Sequence, residues 1–91
     1  MRKLQIQLKL QKQLGGKIEV KTDVGFIDLL TDEEIIEIKN GERWKHAVGQ
    51  ILMYSIEYPD HKKRIHLFDI EKSKLIEDRC NKFNISVSYD C

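Results

Sequence analysis

Apolar positions at Leu4 and Leu8, joined less regularly by Ile6, Leu10 and Leu14, fit a helix over residues 2–14. The segment Leu4-Gln-Ile-Gln-Leu8 taken alone also reads as a strand, and Gly15-Gly16 ends the element either way. Alternation of polar and apolar residues over 17–21 predicts a strand, followed by a turn around Thr22-Asp23, a second strand over 24–30 and a third over 34–39. Asn40-Gly41 stops that strand, and the period then changes. Trp44, Ala47, Val48, Ile51, Leu52, Tyr54 and Tyr58 recur every three or four residues, which predicts an amphipathic helix over 42–58 closed by Pro59-Asp60. A fourth strand over 63–68, a further amphipathic helix over 71–82 and a last strand over 85–89 complete the order α-β-β-β-α-β-α-β. This is an α/β (α+β) pattern with helices packed on a mixed sheet, its third and fourth strands made parallel by a right-handed helical crossover.

A chain of 91 residues predicts one domain, 1–91, with little core to spare. Its 41 % hydrophobic content is too high for a disordered chain. The longest apolar run, Ile51-Leu-Met-Tyr54, falls far short of the roughly 20 residues that span a bilayer. The amino terminus alternates polar and apolar residues and lacks the continuous apolar core of a secretory leader, so the expectation is an intracellular domain with no membrane partner. Cys80 and Cys91 have no CxxC spacing, and His46, His61 and His66 do not complete a ligand pattern with them, which excludes a zinc finger and predicts free thiols.

The net charge of +1 conceals a segregation along the chain. Residues 1–21 carry six basic and one acidic side chain, 22–42 one and seven, 43–66 five and two, and 67–91 four and five. Carboxylates flanked by basic segments are what a metal site on a phosphate-binding surface requires, and also what a solvated acidic hairpin would produce.

Within the acidic block the strand period separates two kinds of face. Glu37 and Lys39 share one side of the third strand, Ile36 and Ile38 the other. On the preceding strand Asp28 interrupts the apolar series Phe26-Ile27-x-Leu29-Leu30, where a charge needs a partner or a purpose. If Asp32-Glu33 forms a two-residue loop, antiparallel pairing sets Leu29 opposite Ile36 and Asp28 opposite Glu37. Asp-Glu is a poor type I′ turn sequence, so a longer loop with shifted register is the alternative, which still leaves the carboxylates on neighbouring strands. Facing carboxylates are resolved by a divalent cation. Asp28, Glu37 and a backbone carbonyl, that of Ile38, together with water and a phosphate oxygen, suit Mg²⁺, and Lys39 on the same face would activate water and offset phosphate charge. The competing reading is a surface hairpin whose polar face carries Asp, Glu and Lys without chemistry.

On the helix over 42–58 the apolar stripe centres between Ala47 and Ile51, with Gln50 at its margin beside Arg43 and His46. From there Gln50 could hold a water or a phosphate, and Arg43, Lys45 and His46 could meet a nucleic-acid backbone. The structural alternative is a core-margin amide and a solvated basic helix end.

Taken together, Gly25-Phe-Ile-Asp28-Leu-Leu, Ile35-Ile-Glu37-Ile-Lys39-Asn40 and Trp44-Lys-His-Ala-Val-Gly-Gln50-Ile-Leu-Met-Tyr54 resemble the PD-(D/E)XK nuclease superfamily, over about residues 17–68. The resemblance implies an αβββαβ restriction-endonuclease-like core, here with an extra helix and strand at the carboxyl end, of a minimal resolvase-like or RecB-like kind. It implies Asp28 and Glu37 as metal ligands, Lys39 as the catalytic lysine, Gln50 as the glutamine of the following helix, and Mg²⁺ as the metal, with Mn²⁺ as a substitute. The implied reaction is phosphodiester hydrolysis leaving 5′-phosphate and 3′-hydroxyl ends. Ile27 stands where the naming proline would be, and residues 1–14 contain no acid where many members carry a helix glutamate, so Glu19 could reach the metal instead, or Gln7 or Gln11 could occupy the helix position.

The leading expectation is therefore a metal-dependent DNA endonuclease, with Lys12, Asn40, Arg43, Lys45 and His46 among its nucleic-acid contacts, and with Arg2, Lys3 and Lys9 of the basic first helix and Lys62-Lys63-Arg64 as further candidate phosphate contacts. Specificity would come from DNA structure, a homodimer or a larger protein partner. The alternatives are a nuclease-fold module that binds DNA or docks without cutting, and a structural α+β domain with no nucleic-acid role.

Overall fold

The computed structural model describes residues 2–91. Helix α1 (Arg2–Leu14) leads into strands β1 (Lys17–Thr22), β2 (Gly25–Leu30) and β3 (Glu34–Asn40); a 3₁₀ turn over Gly41–Arg43 opens α2 (Trp44–Tyr54), and β4 (Lys62–Phe68), α3 (Lys74–Asn81) and β5 (Ile85–Tyr89) follow. The strands form one mixed sheet in chain order, antiparallel across β1-β2-β3 and parallel across β3-β4-β5. The expected α+β architecture and element order hold, and the first segment is helical along its whole length.

The sheet is covered on both faces. Ile27, Ile35, Ile65 and Leu67 pack with Ala47, Ile51 and Tyr54 of α2 and Ile76 and Cys80 of α3. On the other face Leu29, Ile36 and Ile38 pack against Ile6 and Leu10 of α1. Burial on both faces explains why β2 and β3 read as nearly continuous apolar runs, which leaves the charged residues inside them conspicuous. Cys80 is a buried free thiol in the core and Cys91 an exposed one. Among the described residues no helix is long and apolar enough to cross a membrane.

Two helices are shorter than their periodicity predicts. Asn40 Oδ1 accepts the Glu42 N–H at 3.0 Å and caps the 3₁₀ turn, so α2 proper begins at Trp44, and the apolar positions beyond Tyr54 lie in tight turns. In α3 the Ser73 hydroxyl accepts the Ile76 N–H at 3.3 Å and sets the start after residues 71–73.

The β2-β3 hairpin has the expected register, Leu29 opposite Ile36 and Leu30 opposite Ile35, with Thr31 N–H donating to Glu34 O at 3.0 Å. Pairing then stops. Strand β1 is disturbed at the same level: its ladder with β2 skips the Glu19–Asp28 step, and Glu19 has φ 53°. Ile18 and Leu29 pack toward α1 whereas Val20 and Ile27 pack toward α2, so both strands change face across that step instead of alternating through it.

Candidate active site

The opening in the sheet is built by the two acids that interrupt the apolar runs. Asp28 and Glu37 are not ladder partners, which corrects the expected direct opposition. Two carboxylates opposed across a closed ladder repel. The strands separate instead, and each acid takes a place that a backbone carbonyl would fill: Asp28 N–H donates to Glu37 Oε1 at 3.3 Å, and Ile38 N–H donates to Asp28 Oδ2 at 2.8 Å. A strand residue's N–H and C=O point the same way, so the Ile38 carbonyl also turns toward this opening.

Both carboxyl groups are almost completely buried, at 4 % and 1 % exposure for Asp28 and Glu37. Desolvation first, and the neighbouring Asp28 charge second, push the Glu37 carboxyl from its ordinary 4.5 up to about 8. Burial also raises the Asp28 carboxyl, against the opposing pull of the Ile38 amide and Lys3. Lys39, half-buried on the Glu37 side of β3, has its ammonium pKa lowered by desolvation and then by the charge of Lys3. The opening thus holds two acids that resist ionisation and a lysine that gives up its proton more readily than usual.

Helix α1 contributes two side chains to this opening. Lys3 Nζ lies 3.1 Å from Asp28 Oδ1. Buried Gln7 donates from Nε2 both to Asp28 O at 2.8 Å and to Glu19 Oε2 at 2.8 Å. Of the two glutamines proposed from sequence for this helix position, Gln7 is the one at the site, since Gln11 bonds to Gly16 O. Glu19 is linked to Asp28 through Gln7. The sequence offers Lys3 only as a phosphate contact of a basic helix, whereas the structure turns its ammonium onto Asp28.

From the other face α2 supplies Gln50 and Tyr54. Gln50 Oε1 is a buried acceptor with no hydrogen-bond partner in the protein. Tyr54 is buried, and its phenol pKa is raised by desolvation and then by the Glu37 and Asp28 charges. Gly25 makes that packing possible: at φ 137° it favours glycine, and a Cβ there would lie 2.8 Å from Tyr54 Oη. A cleft lined by Val24, Lys45, His46, Gly49, Gln50, Met53 and Tyr54 opens beside these residues.

The remaining candidates divide. Arg43 and His46 are exposed and in contact, Nη2 to Nδ1 at 3.0 Å, and Lys45 is exposed with its ammonium 5.9 Å from the Trp44 ring centroid. Asn40 spends its side-chain oxygen on the cap of the 3₁₀ turn. Lys12 is exposed in the last turn of α1 and pairs with no acid among the described residues. Among the described residues no group of three or more His, Cys, Asp or Glu side chains converges as a metal-binding set. The oxygen donors at the opening are the Asp28 and Glu37 carboxylates and the Ile38 carbonyl, with the Gln50 amide on the α2 side.

Three curated proteins of Acanthamoeba polyphaga mimivirus are similar to this chain, each named a putative KilA-N domain-containing protein. Protein L32 is 54 % identical over 86 residues, covering 91 % of this chain and 23 % of its own length. Protein L33 is 47 % identical over 92 residues, covering 98 % of this chain and 37 % of its own length. Protein R878 is 44 % identical over 82 residues, covering 88 % and 23 %. The chain thus spans between 23 % and 37 % of the length of these relatives. No family model matches the chain. No solved structure matches it either.

Proposed function

We propose that this domain is a Mg²⁺-dependent DNA endonuclease of the PD-(D/E)XK superfamily, with Asp28 and Glu37 as metal ligands, Lys39 as the water-activating lysine and Gln50 as the group that orients the water. One observation carries the reading: two nearly fully buried carboxylates hold open the sheet at the point where β2 and β3 stop pairing, and burial beside Asp28 lifts Glu37 to about 8. Buried acids left in this state favour a cation between them. The donor set fits Mg²⁺, which takes one or two carboxylates and leaves its other positions to water and phosphate oxygens.

In this reading Asp28 and Glu37 would hold the ion, with the Ile38 carbonyl beside them. When bound, Mg²⁺ supplies positive charge to the scissile phosphate and acidifies water. Gln50 Oε1, an acceptor with no partner of its own, accepts a hydrogen bond from the attacking water and fixes its direction. Lys39, from its neutral amine form, takes a proton from that water and then faces, as an ammonium, the charge that develops on the phosphate. The water oxygen bonds to phosphorus, the bond from phosphorus to the 3′ oxygen breaks, and that oxygen takes up a proton from solvent. The ends are a 5′-phosphate and a 3′-hydroxyl. Lys45 and His46, which line the cleft that holds Gln50, and exposed Arg43, in contact with His46, hold the DNA backbone.

A non-cleaving DNA-binding or docking module is the second reading, and Lys3 is the observation that favours it. Its ammonium already lies against Asp28, as it would in a fold that neutralised the acid permanently. Nicking of supercoiled plasmid separates the two. The purified protein with Mg²⁺ or Mn²⁺ is expected to nick, and EDTA or Asp28→Asn to abolish it. A folded protein that binds plasmid and never nicks would overturn the nuclease reading.

A further inference from the structure

Helix α2 carries a second cleft where it meets the end of α3. Trp44, Lys45, Val48, Arg79 and Phe83 line a surface hollow of about 290 Å³ between α2 and the end of α3, near the lower limit of small-molecule pockets. Its composition is unusual for a surface of this protein. Trp44 is the only tryptophan of the chain and is half-buried, its inner part packed on the core. Phe83 is 50 % exposed, yet it is held in an ordered turn, with its N–H donating to Cys80 O at 2.9 Å and the next N–H, of Asn84, donating to Asn81 O at 3.0 Å. An exposed aromatic residue whose backbone is already fixed has less freedom to lose on stacking against a flat partner. Lys45 and Arg79 add two cations, neither paired with an acid among the described residues. Asp78, the acid next to Arg79 in the chain, pairs with Lys74 at 3.6 Å.

Two aromatic rings for a flat apolar face and two unpaired cations for anions beside it match a nucleotide: the base stacks while its phosphates meet the cations. Lys45 also lines the cleft that holds Gln50 and Tyr54, so one exposed face of α2 connects the two hollows across about a helix width, roughly 10–12 Å. A base within a duplex does not present its faces to side chains, and an unpaired one does.

We propose that the Trp44–Phe83 cleft is a stacking subsite for an unpaired nucleotide of the DNA substrate, so that the domain engages DNA carrying a single-stranded segment next to the cut. The choice of DNA as ligand rests on the nuclease reading. Cutting is removed from the test by using the full chain with Asp28→Asn in EDTA, and Trp44 emission reports the subsite directly. A homopyrimidine single strand is expected to quench Trp44, a blunt duplex of the same length to quench it much less, and Phe83→Ala to weaken the single-strand affinity about ten-fold. Arg79→Gln is expected to weaken it less and to lower its salt dependence.

Equal quenching by duplex and single strand, or an unchanged affinity in Phe83→Ala, would overturn the subsite. Emission that shifts with protein concentration before DNA is added would assign the cleft to a second copy of the chain and also overturn it. Nicking without selective quenching would remove the subsite alone, and selective quenching without nicking by the unsubstituted protein would remove the nuclease alone.

Discussion

Two buried charge clusters lie where α1 crosses the sheet, and they treat their charges in opposite ways. On β4 and β5, His66 Nδ1 is 2.8 Å from Ser88 Oγ, His66 Nε2 is 3.4 Å from Asp90 Oδ1, and Lys9 reaches that oxygen at 2.6 Å. Burial would raise the Asp90 carboxyl, yet Lys9 and His66 together hold it below the usual range. Every charge there has a partner. On β2 and β3, Asp28 and Glu37 are neighbours, both carboxyl pKa values are raised, and Lys3 is the cation in direct contact with Asp28. Burial of a charge therefore does not identify a site by itself. The second cluster is distinguished by the excess of acid over contacting cation and by the interrupted ladder around it.

Substitutions in the two clusters should separate them most strongly in activity. Lys39→Ala is expected to lower plasmid nicking by about 10²–10⁴-fold while metal and DNA binding persist, as for a group acting in proton transfer. Lost binding or lost folding would contradict its role. His66→Ala should leave metal binding unchanged and instead cost about 1–3 kcal/mol in a denaturant melt, because Asp90 and Ser88 lose a buried partner.

The pH dependence of the metal-free protein sharpens the contrast, since the clusters act with opposite sign. Glu37 holds its proton more tightly folded than unfolded. Its contribution to stability is complete below about 4.5 and is lost as the pH rises toward about 8, by no more than about 1.4 kcal/mol per pH unit. Burial lowers the His66 pKa from its ordinary 6.5, so the folded chain resists a proton that the unfolded chain accepts, and stability falls as the pH drops below about 6.5. Glu37→Gln should remove most of the loss on the alkaline side and leave the acid side intact. Melting curves from pH 5 to 8.5 in EDTA test this, and an unaltered alkaline slope would contradict it. The smallest effect belongs to Lys3→Met, which removes a competing cation and should tighten Mn²⁺ binding a few-fold by calorimetry. Weaker binding would instead make Lys3 a support of the site.

Much of this was legible in the sequence for a definite reason. The sheet is buried on both faces, so Asp28, Glu37 and Lys39 stand out against apolar runs, and the two-residue loop arithmetic sets the correct register for Leu29 and Ile36. That arithmetic fails one step later, at Asp28, because it assumes a closed ladder, whereas each acid side chain takes a backbone amide of the other strand in place of a ladder bond. The left-handed backbone at Glu19 and the change of face on both strands follow from the same event and leave no mark in hydrophobic periodicity. Lys3 reads from sequence only as a phosphate contact, because its pairing with Asp28 exists only once the helix is docked. Gln7 and Gln11 differ by one helical turn, and only the docked position of α1 selects between them. Asn40 reads from sequence as a nucleic-acid contact, and the structure adds that its side-chain oxygen caps the 3₁₀ turn, a contact hydrophobic periodicity does not encode.

The central claim is that Asp28 and Glu37 form one divalent-metal site, and thermal melts in EDTA and in millimolar Mg²⁺ or Mn²⁺ test it most directly. The account predicts that the ion raises the Tm of the unsubstituted protein, and that Asp28→Asn abolishes this shift while melting in EDTA at the same or a higher temperature. Equal shifts in both proteins, or none in either, would contradict it.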